Sequence, residues 1–360
     1  MTSALPAQKE DRIVFSAGAK SFSVRDVIDA AHFLGEIDPH WAELLARLAA
    51  EKRAAESGAE VDNSAIDAAA VAFRYEHDLI TAEETERWLE LRGVTLADFG
   101  DHFVRAYWSE TCPSKANSTA PSFHLASTDV RQLLAVELIL SNQLDAMATG
   151  LAWRVAAAEG IDVGSGAVEA ERERFAARTS FDASEIQAWL QGLGRDDLWF
   201  EQTLTAEAAF RARCEKLLTE EAQEREIRAL RLPLTRFEVE TIEFDSRDAA
   251  SEAVWCVRSD GMSMAEVAQE GRYPYQRSEL VLEEIAEDLQ QKFLSLTPGS
   301  VLEPIPREDG FQLARLLGKA EPKLDDPGVR RRVAERILAR HFADLTSKCI
   351  RWEITPMSTE

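Results

Sequence analysis

Cysteine, histidine and basic residues are all in short supply in this chain, and each shortage removes a class of function. The four cysteines, Cys112, Cys214, Cys256 and Cys349, share no CxxC spacing, so they read as small buried hydrophobes in a reducing compartment. The six histidines, His32, His40, His77, His102, His124 and His341, leave the whole stretch from Thr235 to Lys319 without an imidazole. Metal ligation by His77 with His102, or by Cys112 with His124, would need the fold to bring them together, so no metal and no cofactor is expected. GxSxG, HExxH, P-loop and dinucleotide fingerprints are missing as well, and carboxylates are too abundant for any pair to stand out. No apolar run approaches the length of a membrane span. The opening MTSALPAQKEDRIVF holds neither an apolar core of signal-peptide length nor a small-residue cleavage site. Lysine and arginine number 41 against 64 acids, a net charge of −23, which argues against a nucleic-acid binder or a partner of anionic membranes. That acidity either keeps a helical protein soluble or suits a cationic or apolar peptide.

What the sequence does contain is mostly helix. DRIVFSAGAKSFSV, Asp11 to Val24, reads as a small hairpin ending at Ser23, a cap for the next helix. Helical periodicity follows: Val27, Ile28, Ala31, Phe33 and Leu34 form one apolar face, Trp41, Leu44, Leu45 and Leu48 another. A helix is expected from about Asn63 to His77, and Thr81-Ala-Glu-Glu is a capping box opening a helix that Gly93 closes. Leu96 to Trp108 is amphipathic, and SETCPSKANSTAP, Ser109 to Pro121, is a linker.

Beyond that linker the chain repeats itself. VRDVIDAAHFLGEID from Val24 is answered by VRQLLAVELILSNQLD from Val130, and TAEETERWLELRG by DASEIQAWLQGLG. Trp88 matches Trp189, Gly93 matches Gly194, and an acidic Ala-rich helix in each copy carries Phe73 or Phe175. A spacing of about a hundred residues is too long for a solenoid repeat, so a duplicated helical module is expected. Phe200 to Arg231 reads as one long charged helix, stopped by Leu232-Pro233.

The last third changes character. TRFEVETIEFD, Thr235 to Asp245, has strand alternation; a helix from Ser246 to Val257 and a short helix MAEVAQEG follow. QKFLSLTPGSVLEPIPREDGFQLARLLGK, Gln291 to Lys319, reads as a helix end, a Pro298-Gly299 turn, a short strand closed by prolines, a turn at Asp309-Gly310, and an apolar strand. At these residues the chain resembles the final part of a parvulin domain, the small peptidyl-prolyl isomerase module of SurA-like and PrsA-like chaperones. Leu296, Gly299, Pro304, Ile305, Gly310 and Phe311 take the family's places for the helix end, turn glycine, strand proline and final strand. The family's two histidines are replaced: Thr241 stands at the first position and Gln312 at the second. The family's Ser-rich and Gly-rich loop is also replaced, by RYPYQRSELVLEE from Arg272, in which Tyr273, Pro274 and Tyr275 form either a contact patch or a packed turn. Each helical copy also resembles the N-terminal helical part of SurA-like chaperones.

The expected fold is therefore α+β: residues 1–110 a helical module with an N-terminal hairpin, 111–233 a linker and second helical module, 234–320 a parvulin-like antiparallel sheet with helices. Residues 321–360 supply a helix, capped by Asp325 or Asp326, and a strand CIRWEI that packs back on the helical region and pairs with the N-terminal IVF strand. Arg330, Arg331 and Arg332 read as a solvated face or a docking patch. The resemblance implies a peptide-binding, chaperone-like protein acting on a precursor or secreted peptide, with Leu294, Leu296, Val301, Ile305, Phe311 and Gln312 lining the peptide site. Two alternatives stay open: a prolyl isomerase with a remodelled site, and a non-catalytic scaffold subunit of a peptide-modifying complex. The implied partners are a polypeptide client and a modification enzyme or exporter. The resemblance leaves isomerase activity undecided, and the lack of a signal peptide points to the cytoplasm.

Overall fold

The computed structural model describes residues 9–113, 122–307 and 309–354. Of the expected linker, residues 114–121 lie outside the described residues, as do residues 1–8 of the opening stretch. The chain begins with the hairpin β1 (Ile13–Ala17) and β2 (Lys20–Ser23), followed by α1 (Val24–Leu34), α2 (Asp38–Ser57), α3 (Asn63–Glu76), α4 (Ala82–Arg92) and α5 (Leu96–Thr111). A second run comprises α6 (Thr128–Leu140), α7 (Gln143–Ala158), α8 (Ser165–Thr179), α9 (Ala183–Leu193) and α10 (Asp197–Leu217). Then come α11 (Glu220–Ala229), β3 (Arg236–Phe244), α12 (Arg247–Arg258), α13 (Met264–Gly271), β4 (Tyr275–Val281) and α14 (Glu287–Ser295). The chain ends with β5 (Ile305–Arg307), β6 (Gly310–Ala320), α15 (Pro327–Cys349) and β7 (Ile350–Trp352). This is an α+β protein, with two small antiparallel sheets among the described residues. Residues up to Cys214 together with those from His341 form one compact unit, and Glu215–Arg340 form another.

In the first unit, cap chemistry sets the helix ends. Ser23 and Asp26 exchange hydrogen bonds with each other's backbone amides at the start of α1. The helices α4 and α9 are built alike: a capping box at Thr81/Glu84 or Asp182/Glu185 opens each, and Gly93 or Gly194 closes it at φ 70° or 67°. The duplication extends to the cores. Trp88 meets Phe73 with centroids 5.5 Å apart and Trp189 meets Phe175 at 5.2 Å. Phe99 and Phe200 complete the sets, each 5.2 Å from its phenylalanine.

The two copies exchange their first helices. From the first copy, Phe33 of α1 stacks on Phe175 at 5.1 Å and meets Phe200 edge-on at 6.1 Å, both in the second copy. Arg195, just past α9, holds Asp29 at 2.6 Å and Asp26 at 2.9 Å on α1. From the second copy, Glu137 of α6 lies 2.7 Å from His102 Nδ1 and accepts from Arg105 Nε at 2.9 Å and Arg47 Nη1 at 2.8 Å, all in the first copy. Burial pushes the Glu137 carboxyl pKa up, but the His102 hydrogen bond and the charges of His102, Arg105 and Arg47 outweigh it and hold the group below its usual range. The three-stranded sheet β2-β1-β7 joins the ends of the chain, with Phe15 opposite Trp352. The long helix expected from Phe200 to Arg231 is two helices, because the Thr219 hydroxyl accepts the Ala222 amide and caps α11 anew.

In the second unit, a four-stranded sheet runs β4-β3-β6-β5. The helix α14 supplies Leu289 and Phe293 to one face, against Phe237, Val239, Leu316 and Ile305. Helices α12 and α13 supply Ala253, Val254, Met264 and Val267 to the other, against Ile242, Phe244 and Leu313. The segment expected to be a remodelled loop contains β4, paired with β3 from Arg236↔Val281 to Ile242↔Tyr275. Asp326 caps α15, its Oδ1 accepting from the Gly328 and Val329 amides. The basic run is matched by local acids: Arg332 pairs with Glu283 and Glu284, and Arg331 lies 3.9 Å from Glu335.

Candidate functional site

The centre of the second unit's sheet is β3, flanked on both sides, and its register decides which side chains meet. Thr241 stands opposite Ala314 on β6 and Gln276 on β4; Glu243 stands opposite Gln312, which in turn faces Ile305 on β5. Because side chains alternate between faces and cross-strand partners share one, Thr241, Glu243, Gln312, Ala314 and Ile305 all lie on the face that α14 covers farther along. Thr241 and Gln312, the two positions at which the sequence resemblance expects histidine, are thus diagonal neighbours. Thr241 is buried, Gln312 half-buried and Glu243 exposed.

The Gln312 amide is held in place. Its Oε1 accepts a hydrogen bond from Arg307 Nη2 at 2.6 Å, and Arg307 sits opposite Gly310 across the β5–β6 turn. Glu243 and Arg307 are functional candidates that the motif reading passed over. Their signal lay in the register, since only strand pairing and the turn it closes set them beside Gln312. The result is a small polar surface with a hydroxyl, an amide, a guanidinium and a carboxylate, next to the buried aliphatic side chain of Ile305. It offers hydrogen-bond donors and acceptors of the kind a peptide main chain pairs with. It contains no nucleophile activated by a neighbouring base.

The six residues expected to line a peptide site fall into two groups. Leu294, Leu296 and Ile305 belong to the apolar cluster on the Gln312 face, while Val301 and Phe311 pack in the cluster on the opposite face with Leu313 and Phe244. Val301 and Ile305 are each 7% exposed, whereas Leu294, Leu296 and Phe311 are half-buried. Tyr273 packs its ring on Phe244 at 4.5 Å and is part of the turn. Tyr275 is exposed, and its hydroxyl donates to Glu240 at 2.8 Å. Among the described residues no group of three or more His, Cys, Asp or Glu side chains is placed to hold a metal ion, and no helix is long and apolar enough to cross a membrane.

Neither a family model nor a curated protein matches the sequence. Solved structures do match. The peptidylprolyl isomerase PrsA from Bacillus cereus is similar at 14% identity over 65% of this chain and 91% of that one, with a TM-score of 0.37. The foldase protein PrsA from Streptococcus pneumoniae is similar at 12% identity over 61% and 86%, with a TM-score of 0.25. A match at 10% identity over 61% and 87%, with a TM-score of 0.20, comes from work on PEB4 and Cj1289, two SurA-like chaperones of Campylobacter jejuni.

Proposed function

We propose that the protein is a peptide-binding, chaperone-like protein whose sheet module holds a polypeptide without efficient isomerase chemistry. The observation that carries this reading is the pair Thr241 and Gln312: they stand as neighbours on one face of the sheet, where the sequence resemblance expects histidines, and neither is an imidazole. The Gln312 amide, fixed by Arg307, suits main-chain hydrogen bonding better than proton chemistry. The client in this reading is a precursor or secreted peptide met in the cytoplasm before modification or export, with a modification enzyme or exporter as the next partner.

The same face supports a second reading, a prolyl isomerase with a remodelled site. Rotation about X-Pro needs no covalent step, only a twist of the bound peptide against a barrier of ~18–20 kcal/mol. Two measurements separate the readings. For a binding protein, dilution of a chemically unfolded client into buffer gives less aggregation when the protein is present, while cis/trans exchange in a Phe-Pro or Glu-Pro peptide proceeds at its rate in buffer alone. Acceleration of that exchange which Gln312→Ala abolishes would overturn the proposal in favour of the isomerase.

A further inference from the structure

Within the first unit, a groove of about 700 Å³ lies beneath the N-terminal hairpin, between β2, α1, α7 and α10. That volume falls in the range of ligand sites, roughly 300–1,000 Å³. Phe22 of β2, Leu151 and Val155 of α7, and Trp199 of α10 line it, and all four are half-buried. Trp199 and Phe200 are consecutive on α10 and point about 100° apart around the helix. Phe200 is buried in the core, while half-buried Trp199 rests one edge on that core, 6.1 Å from Trp189, and also lines the groove.

Two further features point to a polypeptide as the occupant. First, among the described residues β2 is the outer strand of its sheet, with β1 on one side only. An edge strand presents unpaired N–H and C=O groups, the template on which an extended chain adds a strand while dropping alternate side chains into pockets. Second, the lining is charged with one sign in excess. Lys20 is its one basic residue against Asp26, Glu159 and Glu201. Asp26 is occupied by Arg195 and Glu201 by Arg172. Glu159 is exposed at the C-cap of the 16-residue α7; Arg213 Nε already donates to the Ala157 carbonyl there at 3.1 Å, and the Cys349 thiol neighbours the Glu159 carboxylate. A lysine or arginine complements the Glu159 carboxylate itself.

We propose that this groove is a polypeptide-binding site for an extended apolar segment bearing a basic residue, the segment pairing with the open edge of β2 and its cation lying at Glu159. The proposal rests on the reading of the protein as a peptide binder and adds a second site to it, on the helical unit.

The test uses the full chain and a fluorescein-labelled ten-residue peptide of alternating valine and threonine with lysine at each end, read by fluorescence anisotropy. Two control peptides carry glutamate at the ends or N-methyl groups on alternate main-chain nitrogens. The expected result is binding of the lysine peptide, with binding weaker by about tenfold or more for the N-methylated peptide and for the Leu151→Glu variant. Glu159→Lys changes an exposed side chain, so it carries the test even if Leu151→Glu unfolds; it is expected to erase the preference for lysine over glutamate ends. Equal affinity of wild type, Leu151→Glu and Glu159→Lys for the lysine peptide overturns the groove while peptide binding itself stands. Failure of the wild type to bind the peptide also overturns the groove. If client aggregation is then unsuppressed as well, the broader reading falls with it.

Discussion

His32 shows how one buried side chain ties stability to pH. Its ring lies 5.0 Å from Phe123, 5.7 Å from Trp189 and 6.1 Å from His124, and both of its nitrogens are buried without a hydrogen-bond partner. Burial first, then the positive charges of His124 and Arg131, push its pKa from 6.5 down to about 4. The Asp38 carboxylate, 4.0 Å from Nδ1, is exposed and does not offset this. In the unfolded chain the imidazole takes up a proton as pH falls through 6.5, while in the folded protein it stays neutral until about 4. The unfolded state therefore binds more protons in that window, and stability falls with pH, by about 2 kcal/mol between pH 7 and pH 5. His32→Leu removes that dependence without leaving a polar atom unpaired. Urea midpoints at both pH values check it: the wild type is expected to lose more than the variant by that margin, and parallel losses would show that His32 is not held neutral by the fold.

At the scale of single elements, the tightest constraint is the turn into β6. Gly310 has φ 149°, and a Cβ there would lie 2.2 Å from the Phe244 carbonyl oxygen, so an alanine meets strain and backbone collision together. Gly299, at φ 91°, faces open space and meets only the strain. Gly310→Ala is expected to cost about 2 kcal/mol or more, and Gly299→Ala about 1 kcal/mol. Hydrogen exchange of the β5–β6 amides is the readout, because it reports the opening of this sheet separately from the helices. An alanine at Gly310 as mild as one at Gly299 would contradict the close approach. The same elements show what the sequence made legible. Thr81, Glu84 and Gly93 announce α4, and their counterparts announce α9, because caps are local chemistry; β3 and β6 are readable because Ile242, Phe244 and Leu313 must hide in one core. The strand β4 escaped notice for the opposite reason. As an edge strand it exposes Tyr275, Gln276, Arg277 and Glu279 and so shows no period of two. Five of the six residues expected at the peptide site are apolar and the sixth is Gln312, but alternation along β6 sends Phe311 and Gln312 to opposite faces, which a motif match does not display.

Periodicity tells which face of a helix is buried but not which partner buries it, so the exchange of α1 and α6 is visible only in the whole molecule. Its consequence is that the first helical copy is incomplete by itself. Leu134, Val136, Leu138, Ile139 and Leu140 of α6 are each no more than 5% exposed. They pack partly against α2 and α5 of the first copy and partly against α7 of the second, so at roughly 1.5–3 kcal/mol for each fully buried aliphatic side chain, losing the first copy's share removes about 5 kcal/mol. That is an upper estimate, yet it reaches the lower end of the entire stability of a typical domain, about 5–15 kcal/mol. Removing Glu137 as well leaves Arg105, with a side chain only 6% exposed, without the carboxylate that neutralises it. A protease site placed between Pro113 and Ser122 therefore gives a definite expectation. After cleavage the two pieces elute together and melt in one transition for the helical unit, since α1 still sits in the second copy and α6 in the first. Separated in denaturant and refolded apart, the piece ending at Pro113 is expected to show no cooperative melt by circular dichroism, and remixing restores the helical signal. A cooperative melt from that piece alone would mean that each copy buries its own first helix, and the reciprocal contacts of Phe33 with Phe175 and of Glu137 with His102 would then have no structural role.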